Sequence, residues 1–203
     1  RNAFVVSERL RQAAFFKRQG FRDILHEAAA YRLQAGCYLS NLATQIREPA
    51  SRYFAPGRKV SWHRFISHGL SSQASCLNHL MPLATQPALL GRVLGAALED
   101  ETVTVLPIDI RQEQAGGAAW HETAPWFIGF EWIGGANHLE EWPLNGLPTR
   151  GANVTSADAV ANIERGGIHE TVFIEWKYTE SYGAPVAPGG TDTRRARYGD
   201  KIF

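Results

Sequence analysis

Three charged residues in the last quarter of the chain have types and spacing that could do metal-dependent chemistry. Glu175 and Lys177 are separated by one residue, and Asp158 precedes them by enough chain for a strand, a turn and a return strand. Side chains two apart in a strand share a face, so Glu175 and Lys177 are expected to be neighbours. Two adjacent carboxylates repel each other, and a hard divalent cation such as Mg²⁺ removes that repulsion. The pattern therefore suggests a cation held by Asp158 and Glu175, with an ammonium group beside it.

The surrounding segment predicts a β-hairpin that turns at Gly166-Gly167. In its return strand the two-residue period separates two faces, one with Phe173, Glu175, Lys177 and Thr179 and the other with Val172, Ile174, Trp176 and Tyr178. The apolar run 172–174 argues against an exposed strand, in which Glu and Lys would form only a surface ion pair. Charges withdrawn from water need a partner or a metal, since each otherwise costs several kcal/mol.

Asp158 followed by Glu175-Trp176-Lys177 resembles the D…(D/E)xK signature of the PD-(D/E)XK nuclease superfamily, with Ala157 in the place of the usual proline. The likeness extends to 71–78, 150–159 and 174–180. Together these segments are similar to a restriction-endonuclease-like family of mostly uncharacterised bacterial proteins, over roughly residues 69–198.

The resemblance implies an α/β fold with a restriction-endonuclease-like core, in which helices flank a mixed β-sheet. Residues 1–60 are then expected to form a helical region that packs on the core. Residues 61–203 are expected to form the nuclease-like core itself, which would continue beyond Phe203.

The same resemblance implies the chemistry. Asp158, Glu175 and the backbone carbonyl of Trp176 would hold Mg²⁺, with Mn²⁺ as a substitute, while Lys177 orients or deprotonates the attacking water. Gln73, on the helix before the sheet, would contact the water molecules on the metal. The reaction would be hydrolysis of phosphodiester bonds, in DNA more than in RNA. The resemblance also allows a homodimer. Two further carboxylates could enter the site or equally remain on the surface, namely Glu131 and Glu180.

The spacing of apolar residues predicts the helices and strands that must position these residues. Apolar residues at helical spacing predict two helices between residues 7 and 47, divided at Gly20 and ended by Glu48-Pro49. Further helices are expected from about Ser61 to Met81, stopped by Pro82, and over 86–97. β-Branched and aromatic runs predict strands at 102–106, 126–133 and 171–178.

The composition of the chain does not identify its binding partner. The 203 residues carry a net charge of +1, so a nucleic-acid surface would have to be local, and the one basic cluster, Arg194, Arg195 and Arg197, is more typical of a solvated tail. Two cysteines and no long apolar run favour the cytoplasm and no membrane partner. Two rivals to a nuclease stay open: a catalytically silent nucleic-acid-binding or scaffold module that retains the fold, and a metal-dependent hydrolase of another phosphate ester.

Overall fold

The N-terminal region begins with a helix and continues as a hairpin. A computed structural model of the protein describes residues 3–55, 60–108, 125–133 and 156–179. Helix α1 spans Ala3–Arg18 and ends before Gly20, whose φ of 74° only glycine adopts without strain. Strands β1 (Leu25–His26) and β2 (Ala29–Leu33) then pair antiparallel. The expected division at Gly20 is confirmed, whereas the second helix does not begin after it.

Backbone pairing with a distant segment explains the hairpin. The amide of Leu33 donates to the carbonyl of Ser67 at 2.9 Å, and the amide of Gly69 donates to the carbonyl of Tyr31 at 3.0 Å. At Gly69 a Cβ atom would lie 2.5 Å from the backbone carbonyl oxygen of Tyr31 and would also clash with Gln12, so only glycine fits where α1 and β2 meet. These contacts are between residues far apart in the chain, and they override the local helical pattern.

A short 3₁₀ helix, Ala35–Asn41, leads to helix α2, which spans Thr44–Tyr53 and contains Pro49. The prediction that Pro49 ends this helix is wrong. Proline removes one backbone hydrogen bond from a helix interior. That change costs about 3 kcal/mol. Ile46, Ala50 and Tyr53 lie on the buried face of α2, and burial stabilises by about 1.5–3 kcal/mol for each large apolar side chain, so Ile46 and Tyr53 together offset the loss.

The next helix is shorter than expected. Residues 61–71 form turns, and α3 spans only Ser72–Leu80, with the Ser71 hydroxyl accepting a capping hydrogen bond from the amide of Ala74 at 3.3 Å. The predicted stop at Pro82 is confirmed, because the chain passes there into a 3₁₀ turn, Met81–Leu83. Helix α4, Pro87–Leu98, matches the last predicted helix.

Strand β5 (Ala157–Arg165) is the centre of a four-stranded sheet. It reaches β6 (Ile168–Ile174) through Gly166 and Gly167, whose φ angles are 58° and 79°. On its opposite side β5 pairs with β4 (Gly129–Trp132) near its start and with β3 (Thr104–Leu106) near its end. The predicted hairpin is confirmed, but its second strand ends at Ile174, where residue 178 was expected. The pairings of the described strands are all antiparallel, where a mixed sheet was expected.

One hydrophobic cluster joins α2, α3 and α4 to one face of this sheet. Its fully buried members include Tyr53, Leu77, Leu90, Phe130 and Ile163. The described part of the chain is therefore an α/β structure in which helices flank small antiparallel sheets. None of its helices is long and apolar enough to cross a bilayer.

Candidate active site

The hairpin brings the two predicted metal ligands to adjacent strands. In the β5–β6 ladder Ala159 pairs with Ile174, the last residue of β6, so Glu175 follows that strand directly and comes next to Asp158 on β5. On the other side of β5, Phe130 pairs with Ala159 and Trp132 with Ala157. Asp158 therefore lies in one row across the sheet between Glu131 and Glu175.

Asp158 is tied directly to the Glu-x-Lys segment. Its Oδ2 accepts a hydrogen bond from the backbone amide of Trp176 at 2.7 Å. The side chain of Trp176 in turn reaches α3, where its Nε1 donates to the Ser75 hydroxyl at 3.1 Å and its ring lies 5.2 Å from that of His79. The backbone at Trp176 is thus held between β5 and α3.

Glu175 and Lys177 share the face that the two-residue period predicts. Exposure alternates along this segment, with Phe173, Glu175 and Lys177 exposed and the residues between them partly buried. The side chains of Glu175 and Lys177 are 61% and 43% exposed, and they form an ion pair between Oε1 and Nζ. The expectation that this strand is shielded from solvent is wrong for the described residues, because the helices pack on the opposite face.

Gln73 and Glu131 form a buried pair under the sheet. Glu131 is 2% exposed, and its Oε1 accepts a hydrogen bond from Nε2 of Gln73 at 2.7 Å. Oε1 of Gln73 accepts from the backbone amide of His63 at 2.8 Å. Glu131 has a φ of 53°, a left-handed conformation that non-glycine residues rarely adopt and that clusters at functional sites. Gln73 thus contacts a carboxylate of the row, although not one of the two predicted ligands.

The carboxylates of Asp158 and Glu131 also affect the pKa of the Cys76 thiol on α3. Burial, together with the negative charges of Asp158 and Glu131, raises the pKa of its thiol far above the usual range. This thiol is therefore neutral and unreactive at physiological pH. Of the two carboxylates, that of Glu131 contacts α3 directly, through its hydrogen bond with Gln73.

The described residues include no group of three or more His, Cys, Asp or Glu side chains arranged to hold a metal ion. Within the row the side chain of Glu175 is exposed, whereas that of Glu131 is buried. Glu180 and the basic cluster of Arg194, Arg195 and Arg197, which were singled out in the sequence, lie outside the described residues.

Sequence reasoning missed one contact at this site. The hydroxyl of Tyr178 donates to Oε2 of Glu8, on α1, at 2.8 Å. Glu8 is a buried carboxylate, 7% exposed, and it lies at helical spacing from Gln12 and the fully buried Phe16. That spacing was the available signal, since it puts Glu8 on the inner face of α1.

The chain matches a known protein family over nearly its whole length. A family model described as REase-ARP, restriction endonuclease associating with ARP, matches residues 9–202. No curated protein and no solved structure matches.

Proposed function

We propose a function from one premise: this chain belongs to the REase-ARP family, described as restriction endonucleases associating with ARP. A restriction-endonuclease family suggests nuclease activity and interaction with nucleic acid. The proposal is that this chain is a Mg²⁺-dependent nuclease of the PD-(D/E)XK type, which hydrolyses phosphodiester bonds in DNA in preference to RNA.

The hydrogen bond between Asp158 and the amide of Trp176 is the observation that carries this proposal. It ties the lone aspartate to the centre of the Glu-x-Lys triplet, so the three signature residues occupy one edge of the sheet. A chance match of a short motif has no reason to be joined in this way.

The donors at this edge fit Mg²⁺ in their chemistry. Asp158 and Glu175 offer carboxylate oxygens and Trp176 offers a carbonyl oxygen, which are the hard ligands this ion prefers. Mg²⁺ usually binds through one or two carboxylates and keeps its remaining positions for water and substrate phosphate, so a cluster of three acidic side chains is not required. When bound, the ion would polarise the scissile phosphate and offset its charge.

The residues of the chain itself have separate roles in this proposal. Lys177 places a positive charge beside Glu175, where it can orient a water molecule or bind the developing negative charge of the transition state. The ion pair with Glu175 keeps the ammonium group near the row until substrate arrives. Gln73 and Glu131 hold α3 against β4, and through Ser75 the same helix holds Trp176.

A catalytically silent nucleic-acid-binding or scaffold module is the second candidate, and the Glu175–Lys177 ion pair favours it. Both side chains are largely exposed, and an exposed ion pair contributes only about 0–1 kcal/mol. A structural surface pair would have the same appearance. The distinction must therefore come from activity.

The test compares the parent protein with Asp158→Ala and Lys177→Ala, using nicking of supercoiled plasmid and cleavage of labelled DNA and RNA strands in Mg²⁺ or Mn²⁺. Arg52→Ala is the matched control, because Arg52 forms a comparable exposed ion pair with Glu48 far from the row. We expect metal-dependent cleavage by the parent and the control and none by the two site variants. A folded parent that cleaves no polynucleotide would establish the silent module instead.

If the protein cuts both strands of a duplex, we propose that it acts as a homodimer, because one such site cleaves one strand at a time. Sedimentation of the parent with and without duplex DNA tests this. A monomer that nevertheless cuts both strands in one binding event would contradict it.

A further inference from the structure

The Glu175–Lys177 segment lies beyond the regular sheet. The last pair of the β5–β6 ladder is Ala159 with Ile174, and residues 175–177 have no strand assignment. Ladder hydrogen bonds therefore do not fix the backbone that carries the two charged side chains. Bonds to side chains on neighbouring elements must do so.

Three such bonds reach the segment from three different elements. Asp158 on β5 accepts from the amide of Trp176, and Ser75 on α3 accepts from its indole nitrogen. The third comes from α1, where Glu8 accepts from the hydroxyl of Tyr178. Tyr178 directly follows Lys177, so this bond acts on the end of the segment that is farthest from the ladder.

Both oxygens of the Glu8 carboxylate are engaged. Oε1 accepts from Nη1 of Arg11 and Oε2 from the hydroxyl of Tyr178, each at 2.8 Å. The bond from Tyr178 lowers the pKa of Glu8, and burial followed by that bond raises the pKa of Tyr178 to about 12. Around neutral pH Glu8 is therefore charged and Tyr178 keeps its proton, which makes this a charge-assisted hydrogen bond of the stronger kind.

Helix α1 is itself anchored away from this contact. Phe16 is fully buried, the guanidinium of Arg9 lies 5.0 Å from the centre of the Tyr31 ring, and Gln12 packs against Gly69. These contacts hold α1 on β2 and on the turn that leads to α3. Glu8 is therefore a fixed point to which Tyr178 is attached.

We propose that α1 is a positioning element of the active site, in which the Glu8 carboxylate holds the Tyr178 hydroxyl and so fixes the backbone that presents Glu175 and Lys177. The inference rests on the proposed nuclease function for its effect on rate, while the attachment itself can be measured without activity. Glu8 and Tyr178 are positioning residues, since they act through the neighbouring backbone.

The variants separate the hydrogen bond from other losses. Tyr178→Phe removes the donor and Glu8→Leu removes the acceptor. Glu8→Gln keeps a carbonyl oxygen that can accept from Tyr178, and it serves as the conservative rescue. Arg11→Gln is the matched control, because it removes the ion pair between Glu8 and the exposed Arg11 and leaves the bond to Tyr178 in place.

The experiment combines amide hydrogen exchange over residues 174–179 with kcat and KM for DNA cleavage by the full chain. We expect Tyr178→Phe and Glu8→Leu to speed exchange in this peptide and to lower kcat by about 10-fold or more at an unchanged KM, since small misplacements of reacting groups can cost 10²-fold. Glu8→Gln and Arg11→Gln should stay within a few-fold of the parent in both measurements.

The two proposals can fail separately. Unchanged exchange and unchanged kcat in Tyr178→Phe, with a parent that cleaves DNA, would overturn the positioning role and leave the nuclease intact. A parent protein that cleaves no DNA would contradict the proposed nuclease function. Amide exchange over residues 174–179 would then be the remaining test of whether Glu8 holds this segment. If exchange in Tyr178→Phe were as slow as in the parent, the positioning role would be overturned as well.

Discussion

The Asp158 carboxylate accepts a hydrogen bond from the backbone amide of Trp176, with 2.7 Å between Oδ2 and the nitrogen. This bond does two things that substitutions can separate. It fixes the Glu-x-Lys segment against β5, for which any acceptor suffices, and it leaves a negative charge at the sheet edge, for which only a carboxylate suffices.

Asp158→Asn and Asp158→Ala should therefore differ in stability and agree in activity. Asparagine keeps an acceptor for the Trp176 amide, so its free energy of unfolding should stay near that of the parent, while alanine loses about 1 kcal/mol. Both should lower cleavage by about 10²-fold or more, because in the proposed nuclease each removes a carboxylate that would hold the metal. Urea denaturation and plasmid nicking measure the two effects. Full activity in the asparagine variant would show that the charge has no catalytic role.

Lys177 should matter for rate and not for stability. Because its ion pair with Glu175 is exposed, Lys177→Met should change the free energy of unfolding by less than about 1 kcal/mol. In the proposed nuclease Lys177 acts on the attacking water, so its loss should lower kcat by about 10²- to 10⁴-fold. Single-turnover cleavage of labelled duplex measures this, with Lys17→Met on the exposed end of α1 as control. Equal rates in the two variants would favour a surface pair.

Gln73 and Glu131 should behave as one buried unit. Gln73→Met removes the hydrogen bond to a carboxylate that is 2% exposed, and a buried polar group that loses such a partner costs about 1–3 kcal/mol. Glu131→Met in addition to Gln73→Met should recover part of that loss, because the buried carboxylate that lost its partner is then also removed. Thermal unfolding of the parent, the single and the double variant tests this. A double variant less stable than Gln73→Met would contradict it.

The sequence predicted the hairpin because its signals are local. Gly166 and Gly167 supply the positive φ angles of the turn, and the alternation after Ile168 assigns each side chain to a face. These signals predicted that Asp158 and the Glu-x-Lys segment are neighbours. Whether these residues bind a metal stays a prediction, since residue types alone do not determine a ligand set.

Relationships between distant residues could not be predicted in this way. The helical spacing around residues 24–33 is present, yet this segment is a hairpin because β2 pairs with residues 67–69. Which face of β6 is exposed depends on where α3 and α4 pack, and nothing in the strand itself reports this. Glu8 and Tyr178 are 170 positions apart, and their contact exists only once α1 is docked.

Tyr53 should be among the most important single hydroxyls for stability. It is 1% exposed, its oxygen accepts from the amide of Phe130 at 2.7 Å, and it donates to the carbonyl of Phe130 at 3.0 Å. Tyr53→Phe leaves these two buried backbone groups without this partner, at about 1–3 kcal/mol each. Chemical denaturation should show a loss of roughly 2–5 kcal/mol on that basis. Tyr38→Phe, in a partly buried site, is the control, and an equal loss there would contradict the assignment.

His68 should make the fold sensitive to mild acid. Burial, and then the charges of Arg32 and Arg9, lower its pKa to about 4, and its Nδ1 accepts from the amide of Leu70 at 3.0 Å, which only the neutral ring can do. An unfolded histidine titrates near 6.5, so between about 6.5 and about 4 the unfolded state binds more protons than the folded state. The stability from a neutral His68 is therefore complete above pH 6.5 and is lost as the pH falls towards 4.

The measurement is the free energy of unfolding against pH for the parent and for His68→Asn, in which the amide oxygen can replace Nδ1 as acceptor. The difference between the two curves should shrink or change sign as the pH falls through this window, because asparagine does not take up a proton. His169→Gln is the control, because it replaces a histidine that is exposed on the β5–β6 hairpin. Parallel curves for His68→Asn and the parent would contradict the lowered pKa of His68, because they would show that it binds its proton equally well in the folded and unfolded states.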